Sequence, residues 1–193
     1  MTKTVLHLGW VPRPAQLHPI FRGAEWREVR LDVDPTADPV LASITDLSVI
    51  ADGSMDGLFS AHNLEHLYAH EIGQALAEFR RVLGPDGVAL LRVPDLQRVA
   101  ERIAQDQLEE PLYTSAAGAI TPLDVLFGLR SALARGETHL APRTGFTATT
   151  LAHALVAAGF ETVRVKRDRF DLWALAYRRH QPAPRALEDA HDA

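Results

Sequence analysis

Cysteine is absent from this 193-residue sequence, which removes a disulfide framework, a thiolate metal site and a cysteine nucleophile together. An excess of positive charge is absent too. Twenty Lys and Arg face 25 Asp and Glu for a net charge of −5, and the arginines are scattered, so no general attraction for nucleic acid is expected. Long apolar runs are lacking: no segment approaches the roughly 20 residues of a membrane span. The opening MTKTVLHLGW is too poor in apolar residues for a signal peptide. The expectation is a soluble protein, compatible with the cytoplasm and without a membrane partner. What is present, 47% hydrophobic residues and 23% charged, suffices for one substantial core. The sequence predicts a single domain over residues 1–180. A tail from 181 to 193, rich in Pro, Ala and charge without periodicity, is expected to be unstructured.

The most informative stretch runs from Ser54 to Asp95. Leu58 and Phe59 form a short apolar strand, and the chain then turns polar at Ser60, His62, Asn63, Glu65 and His66, where an open parallel sheet binds its ligand. Ile72, Ala75, Leu76, Phe79, Val82 and Leu83 follow the spacing of one helical face. Arg80 and Arg81 sit in its last turn, favourable to the helix dipole, and Gly84-Pro85 stops it. Val88 to Val93 is nearly continuously apolar, as in a strand covered on both faces. Together these make a parallel βαβ unit that carries a site.

On either side, Thr4 to Leu8 reads as a first central strand with its ligand edge at Gly9. Pro12, Pro14 and Pro19 disfavour a regular helix before a second strand at Glu28 to Asp32. A brief third strand is predicted at Ile44 to Leu47. Asp95 caps a helix bearing Leu96, Val99, Ala100 and Ile103. Thr121, Pro122 and Asp124 open one bearing Leu126, Leu129 and Leu133 that ends at Gly136. Thr147 caps another, bearing Leu151 and Leu155 and closing at Gly159, ahead of an antiparallel pair at Thr162 to Lys166 and Leu172 to Tyr177.

The acidic residue before the Leu58 strand, the Leu64-Glu65-His66 triplet, FRRVLGPDG at the helix end and VPDL at the strand end resemble small, type-11 class I S-adenosylmethionine-dependent methyltransferases. Leu6-His7-Leu8-Gly9 and Leu31-Asp32-Val33-Asp34 extend the resemblance upstream. It implies an α/β fold: a doubly wound, mostly parallel sheet with helices on both faces and an antiparallel last strand. It also implies S-adenosylmethionine as cofactor and methyl transfer to a small-molecule or peptide acceptor. Asp32 would bind the cofactor ribose, Asp46 the adenine and Gly9 the methionine end, with His62 as the catalytic residue on the acceptor side and Asn63 as a contact to cofactor or acceptor.

Each position has a plainer alternative. Asp32 or Asp34 also suits the start of the Asp34-Pro35 turn, and Asp46 suits a surface Asx-turn. His62, His66 and His70 recur every fourth residue; on a helix they would share one face and imitate a metal site, although a solvated histidine row reads equally and no metal is expected. His139 and Arg143 to Phe146 suit either a loop over a pocket or a helix entry with Phe146 as its staple. Trp173 and Tyr177 read as core. One feature departs from the resembled family: where it carries Gly-x-Gly, this sequence has Gly9-Trp10-Val11, which adds a branched side chain where the backbone approaches the cofactor. That departure supports a second reading, a noncatalytic methyltransferase-like scaffold with a protein partner or a second copy of itself.

Overall fold

The computed structural model describes residues 2–9, 17–32, 40–41 and 43–181. Its central sheet joins β1 (Lys3–Leu8), β2 (Trp26–Asp32), β3 (Val40–Leu41), β4 (Met55–Ala61), β5 (Leu83–Pro94), β8 (Thr162–Asp168) and β9 (Asp171–Tyr177) in the order β3-β2-β1-β4-β5-β9-β8. A separate hairpin pairs β6 (Tyr113–Ser115) with β7 (Gly118–Ile120). The helices are α1 (Ile72–Val82), α2 (Leu96–Ile103), α3 (Pro122–Phe127), α4 (Arg130–Ala134) and α5 (Ala148–Ala157). Strands β1 to β5 run parallel, and β9 lies antiparallel between β5 and β8. This is the doubly wound sheet with a reversed late strand that the sequence implies.

The alternation of side chains along β1, β4 and β5 divides the core. One face gathers Leu6, Leu8, Leu58, Ala89 and Leu91 against Leu76 and Phe79 of α1 and Leu151 and Leu155 of α5. The other gathers Val5, Phe59, Leu90 and Leu175 against Phe21, with Leu17, Ile20 and Trp26 packed around them. Trp173 and Tyr177 flank this second cluster, as the sequence reading of a core role expects.

Four elements differ from expectation. Ile44 and Thr45 form a turn, and the third strand is Val40–Leu41. The Ser43 hydroxyl meets the Thr45 hydroxyl at 2.7 Å and accepts the Thr45 amide at 3.2 Å, so side-chain to backbone bonds outcompete the ladder there. Helix α1 passes directly into β5 at Leu83. Gly84 to Gly87 are absorbed as a bulge between the Met55–Leu83 and Gly57–Val88 pairings. The helix predicted through to Leu133 breaks at Gly128, which takes φ +96°. The β6–β7 hairpin had no counterpart in the sequence reading.

Candidate active site

The carboxyl edge of β1, β2, β4 and β5 collects the polar groups. Gly9 follows β1 at φ +104° and donates its amide to Leu31 O at 3.2 Å, which places it beside Asp32, the last residue of β2. A Cβ on Gly9 would overlap the carboxamide of Asn63. Glycine therefore serves two needs here, the left-handed backbone and the approach of that side chain. The Asn63 Nδ2 donates to Ser60 Oγ at 2.9 Å, Leu8 O at 3.0 Å and Ala61 O at 3.2 Å. Asn63 thus ties the ends of β1 and β4 together.

Its position follows from His62. The His62 amide extends the ladder by donating to Arg92 O at 2.9 Å, and the residue then adopts φ +56°. A non-glycine residue held in the left-handed region marks a locally determined turn. The turn sends Leu64 into the core and buries Glu65, which is 3% exposed. His62 Nδ1 lies 3.0 Å from Glu65 Oε1, and Nε2 lies 3.6 Å from Asp171 Oδ1. Burial opposes charge on the ring, but the Glu65 hydrogen bond and the charges of Glu65 and Asp171 win, and the His62 pKa is raised above its ordinary value.

Asp171 is fixed in turn by Arg92, whose Nε and Nη2 donate to its Oδ2 at 3.0 and 2.5 Å. The Arg92 guanidinium also lies 5.1 Å above the Trp173 ring. Tyr113, on the hairpin, stacks on Phe170 with centroids 6.5 Å apart. Burial and the negative charge of Asp171 push its phenol pKa up. On the second sheet face, His18 lies 5.1 Å from the Trp173 ring and 6.1 Å from Phe59. His62, Glu65, Arg92 and Asp171 are thus linked in one cluster, and the Tyr113 phenol lies within reach of their charges. Sequence reasoning found the first two. The others were hidden because Arg92 sits inside an apolar strand and Asp171 is brought across by β9 from 79 residues away; the available signal was Arg92 interrupting the apolar run of β5 and an acid opening that of β9.

The remaining expected positions fall as follows. Asp46 is exposed and accepts the Ser48 amide at 3.0 Å; the bonds from Ser48 hold its carboxyl below the usual value. It forms the Asx-turn and stands in a turn rather than at a strand end. His62, His66 and His70 precede α1 and share no α-helical face: His66 lies in a 3-10 turn, and His70 stacks on Tyr68 at 5.8 Å. Among the described residues no three His, Asp or Glu side chains are grouped to hold a metal ion. The Arg143 and Thr144 amides donate to Glu65 O at 2.7 and 3.1 Å. That loop is therefore anchored to the site, while Phe146 enters the core. Trp10, Val11 and Asp34 lie outside the described residues, as does the tail from 182 onward.

Residues 23–91 match a family described as a methyltransferase domain, type 11. No curated protein matches. Among solved structures, a SAM-dependent methyltransferase from Methanosarcina mazei is similar with a TM-score of 0.60 at 14% identity, over 91% of this chain and 92% of that one. The 1,6-didemethyltoxoflavin-N1-methyltransferase of Burkholderia thailandensis, solved with bound 1,6-didemethyltoxoflavin and S-adenosylhomocysteine, gives 0.51 at 19% identity over 91% of this chain and 71% of that one. An S-adenosylmethionine-dependent methyltransferase from Mesorhizobium loti gives 0.55 at 14% identity over 90% of each chain. At these identities the structural likeness establishes the fold.

Proposed function

We propose, from the methyltransferase-domain match over residues 23–91 and the methyltransferase fold of the chain, that it transfers a methyl group from S-adenosylmethionine to a small-molecule acceptor bearing a nucleophilic nitrogen or oxygen. The observation that carries the reading is the His62 ring, held between Glu65 and Asp171 at the sheet edge beside Asn63 and Gly9. The cofactor would meet this edge at the Gly9 main chain and at Asn63, whose carboxamide covers Gly9 and whose Nδ2 is committed to Leu8, Ser60 and Ala61, leaving its oxygen as the acceptor. In this reading Asp32 accepts the ribose hydroxyls, the exposed Asp46 carboxylate meets the adenine, and Gly9 and Asn63 border the methionine end. When bound, the cofactor supplies an electrophilic methyl on a sulfonium.

The protein's part is positioning and proton removal. With Nδ1–H donated to Glu65, His62 presents Nε2 as the base that takes the acceptor proton, and Asp171, held by Arg92, stabilises the imidazolium that forms. Tyr113, Arg92 and Trp173 bound the acceptor side. Calorimetric titration with S-adenosylhomocysteine tests the binding half of the reading. Saturable one-to-one binding that Asp32→Ala weakens at least about tenfold, with an unchanged unfolding midpoint, supports it. Absence of binding by the natural chain would transfer the assignment to the noncatalytic scaffold that Trp10-Val11 suggests.

A further inference from the structure

At the opposite, amino edge of the sheet, a cleft of about 210 Å³ is lined by Arg80, Pro85, Glu161, Arg178 and Arg179. Three guanidiniums thus meet one carboxylate. Glu161 is already engaged, since its Oε2 accepts the His180 amide at 2.9 Å. The arginines are held in place by backbone. Arg80 Nε donates to Gly159 O at 2.8 Å, and Gly159, at φ +91°, has no Cβ to press on that guanidinium. Arg178 Nη1 donates to Leu83 O, and its amide donates to Gly87 O at 3.2 Å. Arg179 is exposed. Among the described residues none of the three forms an ion pair with a carboxylate. Arg81, one residue along α1, shows the contrast: it pairs with Glu78 at 2.7 Å and Asp52 at 2.5 Å and donates to Leu47 O and Ile50 O.

Three guanidiniums beside one carboxylate leave an excess of positive charge in the cleft, and carbonyl bonds that use one donor each leave Arg80 and Arg178 several N–H groups. Forked donors of this kind match the oxygens of a tetrahedral anion in bidentate fashion. We propose that this cleft binds a small phosphorylated anion, a phosphate or diphosphate group, away from the methyl-transfer edge. A single concave site within a chain of net charge −5 suits a compact anion better than a long polyanion.

The test titrates inorganic pyrophosphate and, separately, inorganic phosphate into the full chain, and repeats both with Arg179→Gln and with Arg80→Gln/Arg179→Gln. One pyrophosphate per chain is expected, weakened about tenfold or more in the double variant, with S-adenosylhomocysteine binding unaltered. Arg179→Gln alone, at an exposed side chain, should keep the natural unfolding midpoint while losing part of the affinity, so a folding defect in the double variant cannot mimic the result. No saturable binding of either anion, or equal binding by wild type and variants, would overturn the assignment. Tighter binding of a single-stranded RNA than of pyrophosphate, lost with the same arginines, would overturn the small-anion class in favour of nucleic acid.

Discussion

At the scale of single residues, the proposed mechanism turns on which way His62 titrates. Its pKa is raised because the Glu65 bond and the charges of Glu65 and Asp171 outweigh burial. A base must be neutral to accept a proton, so the acidic limb of the kcat/KM profile should rise through a midpoint above about 6.5, the ordinary imidazole value. Asp171→Asn removes a charge that favours the imidazolium and should move that midpoint down while kcat falls. A midpoint that stays fixed in Asp171→Asn would remove Asp171 from the mechanism. His62→Gln should lower kcat by roughly 10²-fold or more, the usual scale of general-base loss, with little change in S-adenosylhomocysteine affinity. A second residue-scale expectation concerns Gly9 and Asn63. Gly9→Ala forces a side chain into φ +104° and against the Asn63 amide, costing about 2–4 kcal/mol from strain and overlap together. In Gly9→Ala/Asn63→Ala the overlap is gone and the backbone strain persists, so the double variant should be more stable than the sum of the single losses by about 1 kcal/mol. Strict additivity in urea unfolding would refute the contact.

At the scale of elements, capping was the most legible feature of the sequence. Asp95 accepts the Gln97 amide at 3.1 Å, Thr121 opens a capping box with Asp124 as its spacing implies, and Thr147 caps α5 as expected, with Thr150 as its partner. These signals are local, three or four residues long, and depend on nothing distant. Signals that depended on competition were not legible. The apolar run Leu126 to Leu133 reads as one helix by period, yet Asp124 accepts the Arg130 amide at 3.2 Å through Oδ1 and the Thr121 amide at 3.0 Å through Oδ2, serving both α3 and α4 across the Gly128 break. Burial alone would raise the Asp124 pKa, but the bonds from Thr121 and Arg130 hold it below its ordinary value. The stability it supplies is therefore full above about pH 4 and is lost as pH falls through the lowered folded value. Asp124→Ala should cost about 1–3 kcal/mol and speed hydrogen exchange in both short helices. Faster exchange in α3 alone would show that Asp124 does not cap α4.

The polar edge that forms the proposed site was legible to the same degree and for the same reason. Gly9, Asp32, His62 and Asn63 follow strand ends, which a sequence reveals as a change from apolar to polar. Arg92, Tyr113 and Asp171 reach the site through the β5–β9 register and the hairpin, and no local pattern encodes those pairings. Asp46 shows the converse: its side chain reads as a turn former or as a ligand, and its bond to Ser48 makes it a turn former whether or not it also meets a ligand.

At the scale of the whole molecule, the two sheet faces are buried differently, and one histidine reports on the difference. The α1 and α5 face is an apolar layer of leucine, phenylalanine and alanine. The other is packed by residues 17–26, where His18 is 7% exposed and packs at a tilt against Trp173. Burial first, then the positive charges of Arg22 and Arg92, lower its pKa to about 4. The sign is opposite to that of His62. The unfolded chain binds the proton at about pH 6.5 and the folded chain only near 4, so the folded state is fully stable above 6.5 and loses stability as pH falls between the two values. At about 1.4 kcal/mol per pKa unit the loss reaches up to ~3 kcal/mol. Because His18 anchors the segment that covers Phe59 and Leu90, its protonation should release that face before the α1 and α5 face opens. Urea unfolding followed from pH 7 to pH 4.5 should show a falling midpoint that His18→Phe flattens, and fluorescence from Trp26 and Trp173 should change ahead of far-ultraviolet circular dichroism. An acid transition that keeps its slope in His18→Phe would place the sensitivity in the carboxylates instead.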